Sequence, residues 1–324
     1  MRLRRALISL VIGTALSPVL PLQAQQWPEK PIKVIVPFPP GGGGDNMARL
    51  VMTRVGTELG QPIVFENLAG AGGNLGSVTA SKAAADGYTL LYGTNGTFGI
   101  NQTLYRRPGF SATKDFDPVG RLTTIAAMVV VRPDLKAQSM RDLLQLLKNN
   151  PGKYTFASAG NGTTSHMAGE TLKGVAKLAV VHIPYRGGAP AITDLIGGQV
   201  DFMIDVMPNT APQVNGGRLR ALAVSTAKRV PGFEGLPTIA ESGVPGFDVS
   251  AWDGIFAPAG TPQAVIERVN TAIRKVLADS ELQQQLASRG AQAAPNSPQE
   301  LRSFVASEVE RWGQAVKRSG ATVD

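Results

Sequence analysis

The chain has no cysteine and only two histidines, His166 and His182, in 324 residues. Disulfides, thiol catalysis and cysteine-ligated metals are therefore excluded, and a multi-histidine metal centre lacks its ligands. Aromatic residues are scarce, at 6%, and the 32 lysines and arginines are scattered rather than interleaved with them. The formal charge of +8 therefore gives little reason to expect a nucleic-acid partner. Long apolar runs are missing too. The first, residues 6–16, is broken at Ser17-Pro18, short of the roughly 20 residues that a spanning helix needs. No later segment is long and apolar enough to span, so the mature chain is expected to make no stable membrane insertion.

Arg2, Arg4 and Arg5 precede that first run, and Leu22-Gln23-Ala24 follows it. This is the layout of a secretory signal over residues 1–24, with Gln25 as the first mature residue; an uncleaved anchor is the competing reading. Export without disulfides fits a bacterial periplasm, and a lipoprotein anchor would need a cysteine. The remaining length suffices for two cored lobes.

After Trp27-Pro28 the pattern alternates strand and helix, as in parallel sheets with helical crossovers. Strands are predicted at 32–36, 62–65, 88–92, 126–131, 154–158, 180–183, 201–206 and 219–225. Helices are predicted at 45–59, 74–84, 140–147, 164–172 and 190–196. Residues 228–262 are rich in proline and glycine, read as loops around one apolar piece at 252–257. Three helices follow, at 262–278, 281–288 and 298–317. Thr261 is read as N-cap of the first with Pro262 at its first position, and Ser297 with Glu300 forms a capping box on the last. These helices lack strands of their own and most simply return to the first lobe. The expected organisation is lobe 1 at 25–125, lobe 2 at 126–225 and a return to lobe 1 at 226–324, with two crossings, a hinge and a cleft.

Two turns carry the chemistry. The first, PFPPGGGGDN, lies between the strand at 32–36 and the helix at 45–59. Counting from Gly41, the Walker lysine position holds Met47; counting from Gly42, the third glycine of a dinucleotide loop is again Met47. Neither nucleotide pattern fits. A strand-to-helix turn still presents free N–H groups, which suit a carboxylate as well as a phosphate. Gly41, Gly42 and Gly43 would supply them, with Asp45 as a cap and Phe38 beside an apolar ligand part. The alternative is a flexible turn with no ligand. The second turn, SAGNGTTSHM, offers Ser158, Asn161, Thr163, Thr164, Ser165 and His166, one of which must cap the following helix. One such turn per lobe favours closure around a small polar or anionic molecule at the carboxyl ends of the strands.

Asn95, Thr97 and Asn101 follow the strand at 88–92 and could line the same cleft. Asp205 ends the strand at 201–206 and could receive a ligand amine or bind loop amides. His182 reads as structural, and Arg186 as either a carboxylate partner or a surface residue. Ser158 or Ser165 could serve an exported hydrolase, but no G-x-S-x-G elbow is present and Ser165-His166 are merely adjacent. No spacing supports a metal, and no cofactor is expected.

The motifs WPEKPIKVIVPFPPGGGGDNMAR, ENLAGAGGNLGS, SAGNGTTSHMAGE, VHIPYRGGAPAITDLIGGQVDFMID and LPTIAESGVPGFDVSAWDGIFAPAGTP run in register through almost the whole mature chain. In them the chain resembles the Bug family, the tripartite tricarboxylate transporter (TctC-like) substrate-binding proteins. The resemblance implies an α/β, two-lobed periplasmic binding protein fold of type II topology. It implies a non-enzymatic receptor that closes on a small organic carboxylate and delivers it to membrane transporter subunits; a sensor acting through a membrane signalling partner and an exported hydrolase are the alternatives. The ligand turns it implies are residues 38–45 and 158–166, with Asn95, Thr97 and Asp205 near the ligand.

Overall fold

Ile32–Val36 is almost entirely buried and forms β1, a strand covered on both faces as parallel strands are. The computed structural model describes residues 27–323; the signal expected at 1–24 lies outside them. After β1 the chain turns into α1 (Gly43–Leu59), whose buried Met47, Val51, Val55 and Leu59 recur every four residues and face the sheet. Gly60, at φ +76°, ends it in the left-handed conformation that glycine tolerates. Next come β2 (Ile63–Asn67), α2 (Asn74–Ser81), β3 (Thr89–Thr94), a π-type turn at Gly96–Ile100 and α3 (Asn101–Leu104). β1 pairs in parallel with both β2 and β3.

β4 (Phe116–Val131) then leads to α4 (Met140–Asn149), β5 (Thr155–Ser158), α5 (Thr164–Ala176), β6 (Val181–Pro184) and α6 (Gly188–Ile196). β7 (Phe202–Val206), α7 (Met207–Asn215) and β8 (Arg220–Val224) follow. The chain closes with β9 (Ser250–Pro258), α8 (Gln263–Leu277), α9 (Ser280–Ala287), β10 (Ala291–Ala293) and α10 (Pro298–Ser319). Each lobe holds a parallel trio, β2-β1-β3 or β6-β5-β7, continued by antiparallel strands.

One strand belongs to both sheets. From Phe116 to Ala126, β4 pairs with β9; from Ala127 to Val131 it pairs with β7 and β8. The second crossing is tied to the first at Ser225. Its N–H donates to Ala127 O at 2.8 Å, its hydroxyl donates to Val249 O at 2.6 Å, and Val249 N–H donates back to Ser225 O at 2.9 Å. Between these points Val230, Ile239, Val244 and Phe247 sink into the cores of the second lobe, and the chain re-enters the first sheet at Ser250. α10 lies across the back, with Trp312 and Val316 beside Ile100, Met167 and Leu172 of the two lobes.

Several local readings need correction, among them the tail helices expected to lack strands, since β10 lies between α9 and α10 and pairs with β4. The strand expected at 126–131 begins at Phe116; its first part mixes polar and apolar residues and gains its partners from the distant β9 and β10. The apolar piece at 252–257 is no loop insert but the centre of β9, buried along almost its whole length. Pro262, not Thr261, occupies the N-cap of α8, because the Thr261 hydroxyl donates instead to Pro258 O at 2.7 Å. The capping box at Ser297 and Glu300 forms as expected.

Candidate functional site

The carboxyl ends of both parallel trios point at one cavity of about 90 Å³ between the lobes. Four helix N-termini line it: Gly42–Gly44 of α1, Thr163–Ser165 of α5, Gly187–Pro190 of α6 and Val206–Asn209 of α7. Phe38, Tyr92, Ile125 and Trp252 supply apolar walls. No lysine, arginine or histidine is among the lining residues. Positive potential in this space therefore comes from peptide N–H groups and helix dipoles.

The first turn is held from behind. Asp45 is buried and accepts from Gly41 N–H at 2.9 Å, from Arg49 Nε at 2.9 and 3.0 Å, and from Asn67 Nδ2 at 2.9 Å. Asn67 also donates to Phe38 O at 2.9 Å. Burial pulls the Asp45 carboxyl upward, but the bonds from Arg49, Asn67 and Gly41 outweigh it and hold it below the ordinary value. α1 begins at Gly43, two residues before the expected start, so its N-cap is Gly42 and Asp45 braces the turn from inside the helix.

The second turn is held by neutral groups. Ser158 Oγ lies 2.7 Å from His182 Nε2 and accepts from Gly160 N–H at 3.2 Å. Ser165 Oγ accepts from Ala159 N–H at 2.8 Å, Thr163 caps α5 by accepting from His166 N–H, and His166 Nδ1 accepts from Gly162 N–H at 3.3 Å. Phe156, His182 and His166 stack in sequence at 4.7 and 4.6 Å. Burial, then the neighbouring His182 and Lys173 charges, lowers His166 to about 3; burial and Lys173 lower His182 to about 4. Both rings are neutral near neutral pH. His166, Glu170 and His182 bring ligand-type atoms within 4.8 Å of one another. The rings are nearly parallel, however, so their in-plane lone pairs do not converge. One nitrogen of each ring is already hydrogen-bonded, and Glu170 pairs with Lys173 at 3.3 Å. In this arrangement the rings act as packing and hydrogen-bonding groups of the turn.

The lobes touch across the cavity. Gly43 N–H donates to Asn209 Oδ1 at 2.5 Å, and Thr164 Oγ1 donates to Asn95 Oδ1 at 3.0 Å. Gly43 has no room for a side chain, since a Cβ there would lie 2.9 Å from Asn209 Oδ1. Asn95 Nδ2 is buried without a hydrogen-bond partner, a donor waiting for an acceptor. Asp205, 2% exposed, accepts from Asn209 Nδ2 at 2.7 Å, and burial pushes its carboxyl up to about 7.

Of the residues singled out from sequence, Phe38, Gly42, Gly43, Asn95, Thr163, Thr164, Ser165 and Asp205 line the cavity. Gly41, Asp45, Thr97, Ser158 and His166 are not among the lining residues; Gly41 is an exposed part of the first turn, and Asp45, Ser158 and His166 brace the turns. Thr97 Oγ1 bonds the backbone of Thr94, and Asn101 holds Gly72 O and Asn74. Asn161 and the exposed Arg186 lie in an outer groove beside Tyr105 and Gly72. Sequence reasoning missed Tyr92, Asn209, Gly187, Gly188 and Trp252. Tyr92 stands near the carboxyl end of β3 and could have been read from the pattern, whereas Asn209 lies in a proline-containing helix start that the pattern does not reveal. Nothing local marks Trp252, whose place depends on β9 pairing.

With this geometry in view, comparison with known proteins is decisive. Residues 47–321 match the family model described as tripartite tricarboxylate transporter family receptor. The chain belongs to that receptor family. The receptor is 36% identical over 317 residues to Protein BugT of Bordetella pertussis, covering 98% of this chain and 97% of BugT. Among solved structures, R. palustris Rpa4515 with adipate is 34% identical with a TM-score of 0.89, covering 91% of the receptor and 98% of that chain. MatC from Rhodopseudomonas palustris with bound malate is 33% identical with a TM-score of 0.85, covering 90% and 100%. The fold is the two-lobed α/β periplasmic binding protein fold of type II, and the receptor is periplasmic. Among the described residues no helix is long and apolar enough to cross a membrane.

Proposed function

We propose that the receptor closes on one small organic carboxylate in the interlobe cavity and presents it to membrane subunits of a tripartite tricarboxylate-type transporter. The observation that carries this reading is a cavity lined by helix N-termini from both lobes and an unpartnered Asn95 amide, with no basic side chain. Such a site stabilises an anion by hydrogen bonds and dipoles and is suited to release it, since no full positive charge holds it. The structural relatives carrying adipate and malate support the same ligand class. The ligand-contacting groups in this proposal are the turns 38–44 and 163–165, with Asn95 and Asp205; Asp45, Ser158 and His166 hold those turns.

The contact between Ser158 Oγ and His182 Nε2 is the one feature that favours a hydrolase. Ser158 is fully buried and outside the cavity lining, and His182 is sandwiched between Phe156 and His166. Ser165 does face the cavity, but its hydroxyl meets Ala159 N–H and Thr163 rather than a base. A nucleophile that is reachable and a base that activates it do not coincide. Native mass spectrometry of freshly purified protein, followed by a thermal-shift screen of carboxylates, tests the receptor reading. A bound or stabilising carboxylate is expected. Protein proved ligand-free and unmoved by a broad screen overturns it, as does ester turnover abolished by Ser158→Ala.

A further inference from the structure

Resting on that reading, the cavity has a feature that a site for plain carboxylates does not need. Asp205 supplies its one carboxylate, and no lysine, arginine or histidine among the lining residues offsets it. The group is built in. Asn209 Nδ2 donates to Asp205 Oδ2 at 2.7 Å, while Asn209 Oδ1 is committed across the cleft to Gly43 N–H at 2.5 Å. The side-chain amide of Asn209 is thus fixed at both ends, and it holds the Asp205 carboxyl at the cavity wall. The backbone of α6 closes in from another side: a Cβ on Gly188 would come within 3.1 Å of Asp205 Oδ2 and 2.2 Å of Asn209 Nδ2. Bonds from Asn209 and the Val206 backbone leave acceptor capacity on a carboxylate with about four lone-pair sites.

The polarity of the cavity is therefore two-ended. Lobe 1 brings the amides of α1 and the unpartnered Asn95 Nδ2, all donors. Lobe 2 brings the amides at the starts of α5 and α6, also donors, and Asp205, an acceptor that carries negative charge when ionised. A plain dianion placed here would meet an ionised Asp205 with no cation between them. A solute carrying its own cation would satisfy both ends. We propose that Asp205 is a specificity-determining residue that receives an ammonium group, so that the receptor's solutes are amino-substituted carboxylates. Tyr92, Ile125 and Trp252 form the apolar wall for the solute's carbon skeleton. The upward displacement of the Asp205 pKa fits a carboxyl that lacks its cationic partner until the solute enters.

Calorimetric titration of the mature receptor, freed of co-purified solute, tests this with matched pairs: aspartate against succinate, glutamate against glutarate, phenylalanine against 3-phenylpropionate. In whichever pair has the skeleton that binds, the amino member is expected to bind at least tenfold more tightly. Asp205→Asn, which keeps shape and hydrogen bonding but removes the charge, should cut that ratio by roughly 10- to 100-fold, the usual range for a charged hydrogen bond. The wild-type comparison needs no variant, so poor folding of Asp205→Asn cannot shelter the proposal. Equal or tighter binding of the deamino member overturns it, and so does an unchanged ratio in a folded Asp205→Asn protein. Binding of neither member of any pair, but of another carboxylate lacking an amine, overturns the ammonium site and leaves the receptor reading standing.

Discussion

At the first turn, the side chains that fix the loop are built around an ion pair and sit outside the cavity; at the second they are neutral, and Thr163, Thr164 and Ser165 line it. Asp45, Arg49 and Asn67 clamp residues 38–45 from behind with an ion pair and four further hydrogen bonds to the carboxylate, Asn67 or the backbone. Ser158, His182 and His166 clamp residues 158–166 by a short hydrogen bond and a ring stack. Both devices hold a helix N-terminus at the cavity wall. The lesson is that a helix N-terminus can be aimed by either chemistry, provided the charge used for bracing is satisfied away from the ligand.

The largest expected effect comes from breaking the charged brace. Asp45→Ala leaves Arg49 and Gly41 N–H without their buried acceptor and should cost about 2–3 kcal/mol of stability. Urea denaturation measures it; a loss under 0.5 kcal/mol would mean the brace is redundant. Next is Gly43→Val, whose side chain must collide with Asn209 and spoil closure, not folding. Ligand affinity should fall about 10- to 100-fold, in keeping with an overpacking cost of about 1–3 kcal/mol, while the midpoint of ligand-free unfolding moves little. Equal affinity would remove the first turn from the site.

Acid separates the two braces. Asp45 has a folded pKa below 3.8, so its stabilisation is present above that value and is lost only as pH falls further. His166 and His182 are lowered from 6.5 to about 3 and about 4, so protonation favours the unfolded chain, and the loss begins below pH 6.5. Asp205 and Asp253, raised to about 7 and about 6, pull the opposite way over the same range. The useful measurement is therefore the difference between wild type and His182→Gln, whose loss of stability from pH 6.5 to 4 should be shallower. Parallel curves would contradict a neutral histidine brace. The smallest effect is the control: Ser297→Ala, in the capping box of α10, should cost about 1 kcal/mol with unchanged affinity.

Both braces were only partly legible in the sequence. The alternation of apolar strands and amphipathic helices revealed most elements, and the glycine and hydroxyl clusters pointed to both turns, because these signals are local. Asn67 and His182 act from neighbouring strands, so their roles follow from parallel pairing and not from any spacing. The same holds for Trp252, whose position depends on β9 pairing with β4 over a sequence separation of more than a hundred residues. Asn209 was missed for another reason: it lies just inside a helix that begins with Met207-Pro208 and contains Pro212, a composition that does not announce a helix.

The strand that belongs to both sheets has a consequence for how the chain folds. Neither half can complete its sheet unless Phe116–Val131 is in place, and β9, which covers the first part of it, is made only after the whole second lobe. Synthesis from the N-terminus therefore leaves the first lobe with an open edge until Ser250–Pro258 arrives. The two lobes should melt in a single transition, and a fragment ending before residue 250 should not hold its native sheet.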